Sequence, residues 1–573
     1  MSYEVVDSDV LVIGAGGAGA RAAIEAARNN VQVAVVTKEL FGKAHTIMAE
    51  GGYNAALANV DSSDNWMWHF YDTVVGGAWI NNQELVEVLV KEAPDRIYDL
   101  EEFGSLLDRT TDGRIAQRPF GKQTYRRTCY SGDRTGHELM ATLVEECRRL
   151  DIEIFDEVFS TRLIVDDGGI AGVTAIDIKT GVFKVFRAKA VVLASGGAGR
   201  IYEITTNAQA DTGDGFAMAL YAGAELVDME MVQFHPTGMV YPESCKGILV
   251  TEAVRGEGGI LYNIHRERFM KRYAPEKMEL AGRDEVARAI AREVLEGRGT
   301  PRGGVYLDVS HLPAELIEEK LPSMLEQFEK VGVDIRKEPM EVAPTGHHMM
   351  GGLMINEKAE SNIVGLFGAG EVTGGVHGGN RLGGNALADT QVFGKRAGEN
   401  AALRANRVSR PKIDREFVES EAERVYGTLD RDDGVGLREI MRNLKQLMWG
   451  KVGIFRSGAE LGEASSTLTN WRLQVLPRFR LKSKCRRYNR EWIEALELEN
   501  MIITAEIVAK AALLRQESRG AHFRVDFPKP DNENWFVNIV AKKQGDDIGL
   551  RKEPVITTYI KFPGASFKEV KWQ

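Results

Sequence analysis

The segment Asp9 to Val36, DVLVIGAGGAGARAAIEAARNNVQVAVV, constrains the fold more than any other. Val10 to Ile13 read as a short buried strand, and Gly14-Ala15-Gly16-Gly17-Ala18-Gly19 as a glycine-rich turn. Arg21 to Arg28 read as an alanine-rich helix and Val31 to Val36 as a second strand. This is a βαβ unit carrying the G-x-G-x-x-G spacing in strand–turn–helix context, which marks a dinucleotide site. Gly14 allows the tight turn, Gly16 lets a pyrophosphate approach the backbone, and Gly19 lets helix and strand pack closely. The helix N-terminus offers free N–H groups and partial positive charge to phosphates. An NAD site would carry an acidic residue after the second strand. Here that strand ends Val36-Thr37-Lys38, which argues against a plain NAD dehydrogenase.

A chain of 573 residues implies more than one domain. Its net charge of −10 does not suggest nucleic-acid binding. No apolar run approaches the length that spans a bilayer. The N-terminus MSYEVVDSDV has the character of neither a secretory signal nor a transit peptide, so a reducing, cytosol-facing compartment is expected. Cys129, Cys147, Cys245 and Cys485 are scattered and form no C-x-x-C, so a disulfide framework, a zinc site or an internal iron–sulfur cluster is not expected.

Amphipathic helices are expected within 61–150, including Thr135 to Leu150, preceded by the loop FGKQTYRRTCYSGDRTG. Strands are expected at Ile152–Phe155, Thr161–Val165, Gly172–Ile178, Val182–Arg187 and Ala190–Ala194. The last ends in Ser195-Gly-Gly-Ala-Gly199, and a third strand ends in Gly365-Leu-Phe-Gly-Ala-Gly-Glu371. Each strand end offers a further backbone approach to one nucleotide. Helices are expected at Asp284–Glu296 and Ala314–Val331. The expected architecture is α/β: a discontinuous Rossmann-like nucleotide domain (1–234 and 351–412) with an inserted α+β capping domain at 235–350, a helical domain at 413–519 with one long helix from Arg490 to Arg515, and a small C-terminal domain at 520–573. The basic run PRFRLKSKCRRYNR reads as a solvated face.

From about residue 8 to about 536 the chain resembles the flavoprotein subunit of succinate dehydrogenase and fumarate reductase (respiratory complex II). The resemblance is carried, in order, by GAGGAG, AHTIMAEGG, RTCYSGDRTGH, ASGGAGRIY, TGDGFAMA, MEMVQFHPTG, LVTEAVRGEGG, AGRDEVARAI, APTGHHMMGG, HGGNRLGGNALAD and ESRGAHFRVDFP. L-Aspartate oxidases and adenylylsulfate reductases share the wider superfamily. The resemblance implies FAD, joined covalently through His45 in the family's His-Thr position; aspartate oxidases usually lack this histidine. A neutral imidazole is a competent nucleophile toward the flavin methyl group.

By the same resemblance, Thr46, Glu50, Gly51 and Gly52 continue the flavin segment. Thr37 and Lys38 lie near the adenosine, and Asp214 and Glu371 match FAD positions. Ala386 and Leu387 face the flavin ring, with Ala386 standing where many relatives have serine. A small dicarboxylate would be held by His235, Thr251, His347 and Arg381, arginine being suited to a bidentate carboxylate grip. Arg283 matches the proton donor and acceptor, and Glu252 and Arg255 a relay to solvent. His348, where the family often has an aromatic residue, and His377 are weaker matches.

The implied activity interconverts succinate and fumarate by hydride exchange with flavin N5. The scattered cysteines imply that electrons pass to a partner iron–sulfur subunit and on to quinone. A membrane anchor would then hold the chain at the cytoplasmic membrane face. A stand-alone L-aspartate oxidase is the alternative. Glu50 stands where fumarate reductases tend to carry glutamate and succinate dehydrogenases glutamine. A carboxylate there would disfavour reduced, anionic flavin, a lean toward fumarate reduction.

Overall fold

The computed structural model describes residues 3–431 and 434–572. A seven-stranded sheet forms its centre. Glu4–Ile13 lies between Val33–Thr37 and Phe183–Leu193, parallel to both, with Ile13 level with Val36 and Leu193. Glu153–Asp156 extends the sheet beyond Val33–Thr37. The strand Gly169–Asp177 runs antiparallel beside the first half of Phe183–Leu193, with Val158–Asp166 antiparallel on its far side, and Leu366–Gly368 pairs in parallel with the second half of Phe183–Leu193. Three strands therefore end side by side, at Ile13, Leu193 and Gly368. Val10 to Ile13 are apolar throughout because both faces of this parallel sheet are covered. The helix Gly17–Arg28 lies on it, packed against Asn385–Ala405. A Cβ on Gly398 would stand 2.2 Å from the Ala22 carbonyl oxygen, so the two helices touch through backbone.

Two expectations about elements change. The strands expected at Val182–Arg187 and Ala190–Ala194 are one strand, Phe183–Leu193. Its partner Glu4–Ile13 runs unbroken alongside, so nothing forces a turn between them. The helix expected at Ala314–Val331 is two, Ala314–Lys320 and Pro322–Glu329. Leu321 adopts φ −131°, ψ 40° between them. The proline ring excludes the helical conformation from the preceding residue, and Pro322 then serves as a first helical residue.

A second hydrophobic core draws its buried residues from Met239 to Val342. It packs under a four-stranded antiparallel sheet in the order Val232–Met239, Met340–Met349, Val305–Asp308, Ile260–Tyr262. Gln233 pairs with His348 and Phe234 with Gly346, so His347 is the extra residue of a bulge. Bulges of this kind re-aim side chains.

The helix Arg490–Leu514 is buried on nearly every face, which its apolar composition requires. The hairpin Val537–Gln544/Asp547–Pro554 pairs with Leu226–Val227 in a sheet that also holds Gly352–Met354 and Thr373–Gly374. A lone hairpin is marginal in water, and this one gains its stability from strands remote in sequence.

Candidate active site

One cleft opens at the ends of the three parallel strands. Its walls include Gly14 to Ala18, Ala194 to Gly196 and Ala369 to Glu371, and it encloses about 1730 Å³ of empty space, the solvent-open mouth included. Ligands of open α/β sheets bind beyond the carboxyl ends of the strands. The glycine turn is built by close approach. A Cβ on Gly14, at φ +108°, would lie 2.2 Å from the Ala194 carbonyl oxygen, and one on Gly19 would lie 2.0 Å from that of Gly14. Gly19 is thus a packing residue outside the cleft wall. A Cβ on Gly16 would meet only the Thr46 hydroxyl at 3.3 Å and the Ala44 methyl at 3.5 Å. The amide of Gly17, at the helix start, donates to Thr46 Oγ1 at 3.1 Å.

The remaining expected cofactor residues line the same cleft: Thr37, Lys38, His45 and Thr46, Glu50 to Gly52, Asp214, Glu371, Ala386 and Leu387. Lys38 donates to Thr212 Oγ1 and Asp214 Oδ2, both at 2.6 Å, and to Glu497 Oε1 at 3.0 Å. Burial works against its charge, but the two carboxylates hold its proton well above the ordinary lysine range. His45 begins a short turn, His45–Met48, and is partly open to the cleft. Its Nδ1 accepts from the Ala208 amide at 3.3 Å and lies 3.8 Å from Asp211 Oδ2. Buried polar atoms without partners point to a ligand site, and among the cleft residues these are Ser160 Oγ, Ser195 Oγ, Glu50 Oε2, His348 Nε2, Arg381 Nε and Asp389 Oδ1. The glycine cradle, the helix start that borders the cleft and these orphaned polar groups fit a dinucleotide cofactor.

Next to this cradle lie His235, Thr251, Glu252, Arg283, His347 and Arg381. Arg283 Nε donates to Glu252 Oε2 at 2.7 Å. Gln233 Oε1 accepts from Arg283 at 3.1 Å and from Arg381 at 3.2 Å, so one amide oxygen joins both guanidiniums. The amide nitrogen of Gln233 donates to Asn380 Oδ1 at 2.8 Å and to the Arg381 carbonyl at 2.9 Å. The sequence reading missed Gln233. The signal for it was its place two residues before His235, on the same face of a strand.

The His235 and His347 rings stand 4.9 Å apart, and Thr206 Oγ1 fixes His347 Nδ1 at 2.8 Å. Burial, followed by Arg283 for His235 and by His235 itself for His347, pushes both imidazoles well below their usual range and keeps them neutral. Burial and Arg283 push Arg381 down to about 9. Burial opposes ionisation of Glu252, yet Arg283 and Arg255 hold it well below the carboxylate norm.

Arg255 is outside the cleft wall. It lies behind Glu252, 3.9 Å away, and donates to the Glu279 carbonyl oxygen at 2.6 Å. The Glu279 carboxylate in turn holds the partly exposed Arg268. His377 is also outside the wall, with its ring 5.4 Å from that of His348.

The sequence of the chain matches the family model described as FAD binding domain over residues 9–387 and that described as fumarate reductase flavoprotein C-term over residues 441–568. It is 55% identical to one of the subunits of the fumarate reductase (CoM/CoB) of Methanothermobacter marburgensis, over 95% of this chain and 98% of that one. The chain belongs to the succinate dehydrogenase and fumarate reductase flavoprotein family.

The mitochondrial succinate dehydrogenase [ubiquinone] flavoprotein subunit of Oryza sativa subsp. japonica is 39% identical, over 97% of this chain and 91% of that one. Among solved structures, the FrdA chain of E. coli quinol fumarate reductase superposes with a TM-score of 0.92 at 36% identity, covering 98% of this chain and 99% of that one. The fold expected from the sequence, an FAD-binding α/β domain with further domains, is that of this family, and the chain is an FAD-dependent oxidoreductase.

One expectation about electrostatics is weakened by the structure. Burial, with Asp133 nearby, raises the Glu50 carboxyl well above the usual range. Burial thus disfavours the charged form of Glu50 and weakens an argument from its charge for the direction of the reaction.

Proposed function

We propose that this chain reduces fumarate to succinate, and runs the reverse reaction, as the flavoprotein subunit of a larger complex. The observation that carries the reading is the continuity of the flavin cradle with the Arg283–Gln233–Arg381 joint. Bound FAD supplies the hydride at N5. Arg381, Thr251, His235 and His347 grip the two carboxylates, where neutral imidazoles act as hydrogen-bond partners and the guanidinium supplies charge. Arg283, oriented by Glu252 and Gln233, exchanges a proton with the carbon next to the one exchanging hydride. Glu252, Arg255 and the Glu279–Arg268 pair form the polar route by which Arg283 recovers that proton. The sheet carrying His235 and His347 closes over the substrate and excludes water.

His45 is the residue that joins the flavin covalently. Its position in the cleft wall and its partial exposure support this. The four cysteines are spread over Cys129, Cys147, Cys245 and Cys485, and no metal-binding cluster of His, Cys, Asp or Glu exists among the described residues. Electrons therefore enter through an iron–sulfur partner. Among the described residues no helix is long and apolar enough to cross a membrane. In this reading partner subunits provide a membrane anchor on the cytoplasmic face.

A second reading concerns the reductant. The name of the 55% identical relative favours the coenzyme M and coenzyme B thiols over quinol as electron donor.

The test is purification with native partners, followed by fumarate–viologen, succinate–dye, quinol and thiol assays. Fumarate reduction lost in Arg283→Ala supports the reading; its absence in the wild type overturns it. Flavin fluorescence on the denatured polypeptide, abolished in His45→Ser, marks the covalent bond. Flavin wholly released by acid counts for the aspartate-oxidase type instead.

A further inference from the structure

His348 is a cleft residue to which the proposed chemistry gives no task. Its Nδ1 lies 3.3 Å from Glu371 Oε2, while Glu371 Oε1 accepts the Met349 amide at 2.9 Å. A carboxylate held at both oxygens fixes the ring and assigns the proton to Nδ1. The opposite nitrogen, Nε2, is buried and has no hydrogen-bond partner. The residue itself is 6% exposed and lines the cleft beside Glu371. A buried, oriented nitrogen of this kind is built to meet a ligand.

We propose that His348, oriented by Glu371, faces the bound flavin through Nε2 and takes up a proton when the flavin is reduced. The inference rests on the FAD reading of the cleft. In a two-electron reduction by dithionite, two electrons and one proton from solvent go to the flavin, leaving one negative charge. A second proton from solvent goes to His348 Nε2, so imidazole becomes imidazolium and no carbon–hydrogen bond of the protein changes.

The groups facing His348 favour a switch. Burial, Arg381 and Arg283 keep the imidazole neutral, while Glu371 favours the cation. His377 stands at its ring edge, His347 is its chain neighbour, and Gln233, opposite in the sheet, carries no charge. Adding a negative charge at Nε2 turns this balance toward protonation.

The experiment is a spectroelectrochemical titration of the FAD-loaded full chain, from about pH 6 to 8. Each proton taken up with two electrons contributes about 30 mV per pH unit to the slope of the midpoint potential. The wild type is expected to show twice that slope. His348→Phe and the polar, non-titrating His348→Gln are expected to show the single-proton slope, with their visible flavin absorbance retained. A single-proton slope in the wild type, or a two-proton slope in either folded variant, overturns the inference alone. A wild-type chain that binds no FAD overturns the cofactor reading and the inference together.

Discussion

Gln233→Glu tests the joint between the two arginines. The substitution keeps the side chain's size and places a full negative charge where one amide oxygen now accepts from Arg283 at 3.1 Å and from Arg381 at 3.2 Å. At an effective dielectric of about 20, a charge pair at ~3.2 Å is worth about 5 kcal/mol. Burying the new carboxylate takes back several kcal/mol. The substitution also loses the two hydrogen bonds that the amide nitrogen makes to Asn380 and the Arg381 carbonyl. A remainder of about 1.5–3 kcal/mol favouring protonated Arg283 corresponds to about one to two pH units of tighter proton binding. The step in which Arg283 gives up its proton then slows roughly 10- to 100-fold. The same charge repels a dicarboxylate near Arg381, so KM rises as kcat falls. The assay is steady-state fumarate reduction with reduced viologen, run beside thermal unfolding and flavin absorbance. A folded, flavin-loaded variant with kcat and KM both within about twofold of wild type would refute the reasoning, because a full charge at that joint must be felt.

Two further outcomes are expected. Burial pushes the Asp389 carboxyl up to about 7, whereas the unfolded chain ionises it near 3.9. The native state therefore holds a proton that the unfolded state has lost. The stability this group contributes falls as pH rises from about 4 to about 7, by up to ~4 kcal/mol, and is level above that. Asp389→Asn does not titrate, so its denaturation midpoint relative to wild type should improve between about pH 5 and pH 8; an equal gap at both would refute the assignment. Gly19→Ala drives a methyl group to 2.0 Å from the Gly14 carbonyl oxygen. FAD content, read from visible absorbance, should fall at least tenfold, and a variant that keeps wild-type content would show that the turn tolerates the shift.

The nucleotide half of the site was legible because its signals are local. A short apolar strand, a glycine turn and an alanine-rich helix follow from hydrogen bonding and side-chain size over fewer than thirty consecutive residues, and the strand–turn pattern recurs at Ala194 and Ala369. Pro322 was a local signal too, and the break it makes between Ala314 and Glu329 follows from its ring alone.

The substrate half depends on contacts between residues far apart in the chain. Arg283 meets Glu252 across 31 residues and Gln233 across 50, and Arg381 meets Gln233 across 148. No periodicity encodes such distances. The bulge that frees His347, the position of Arg255 behind Glu252, the raised carboxyl of Glu50 and the open nitrogen of His348 each depend on which groups burial brings together. The sequence by itself determined the backbone that receives a flavin and the residue types able to hold a dicarboxylate. The tertiary structure alone decided which of those side chains share charges and hydrogen bonds, because desolvation and Coulomb interactions depend on distance in space.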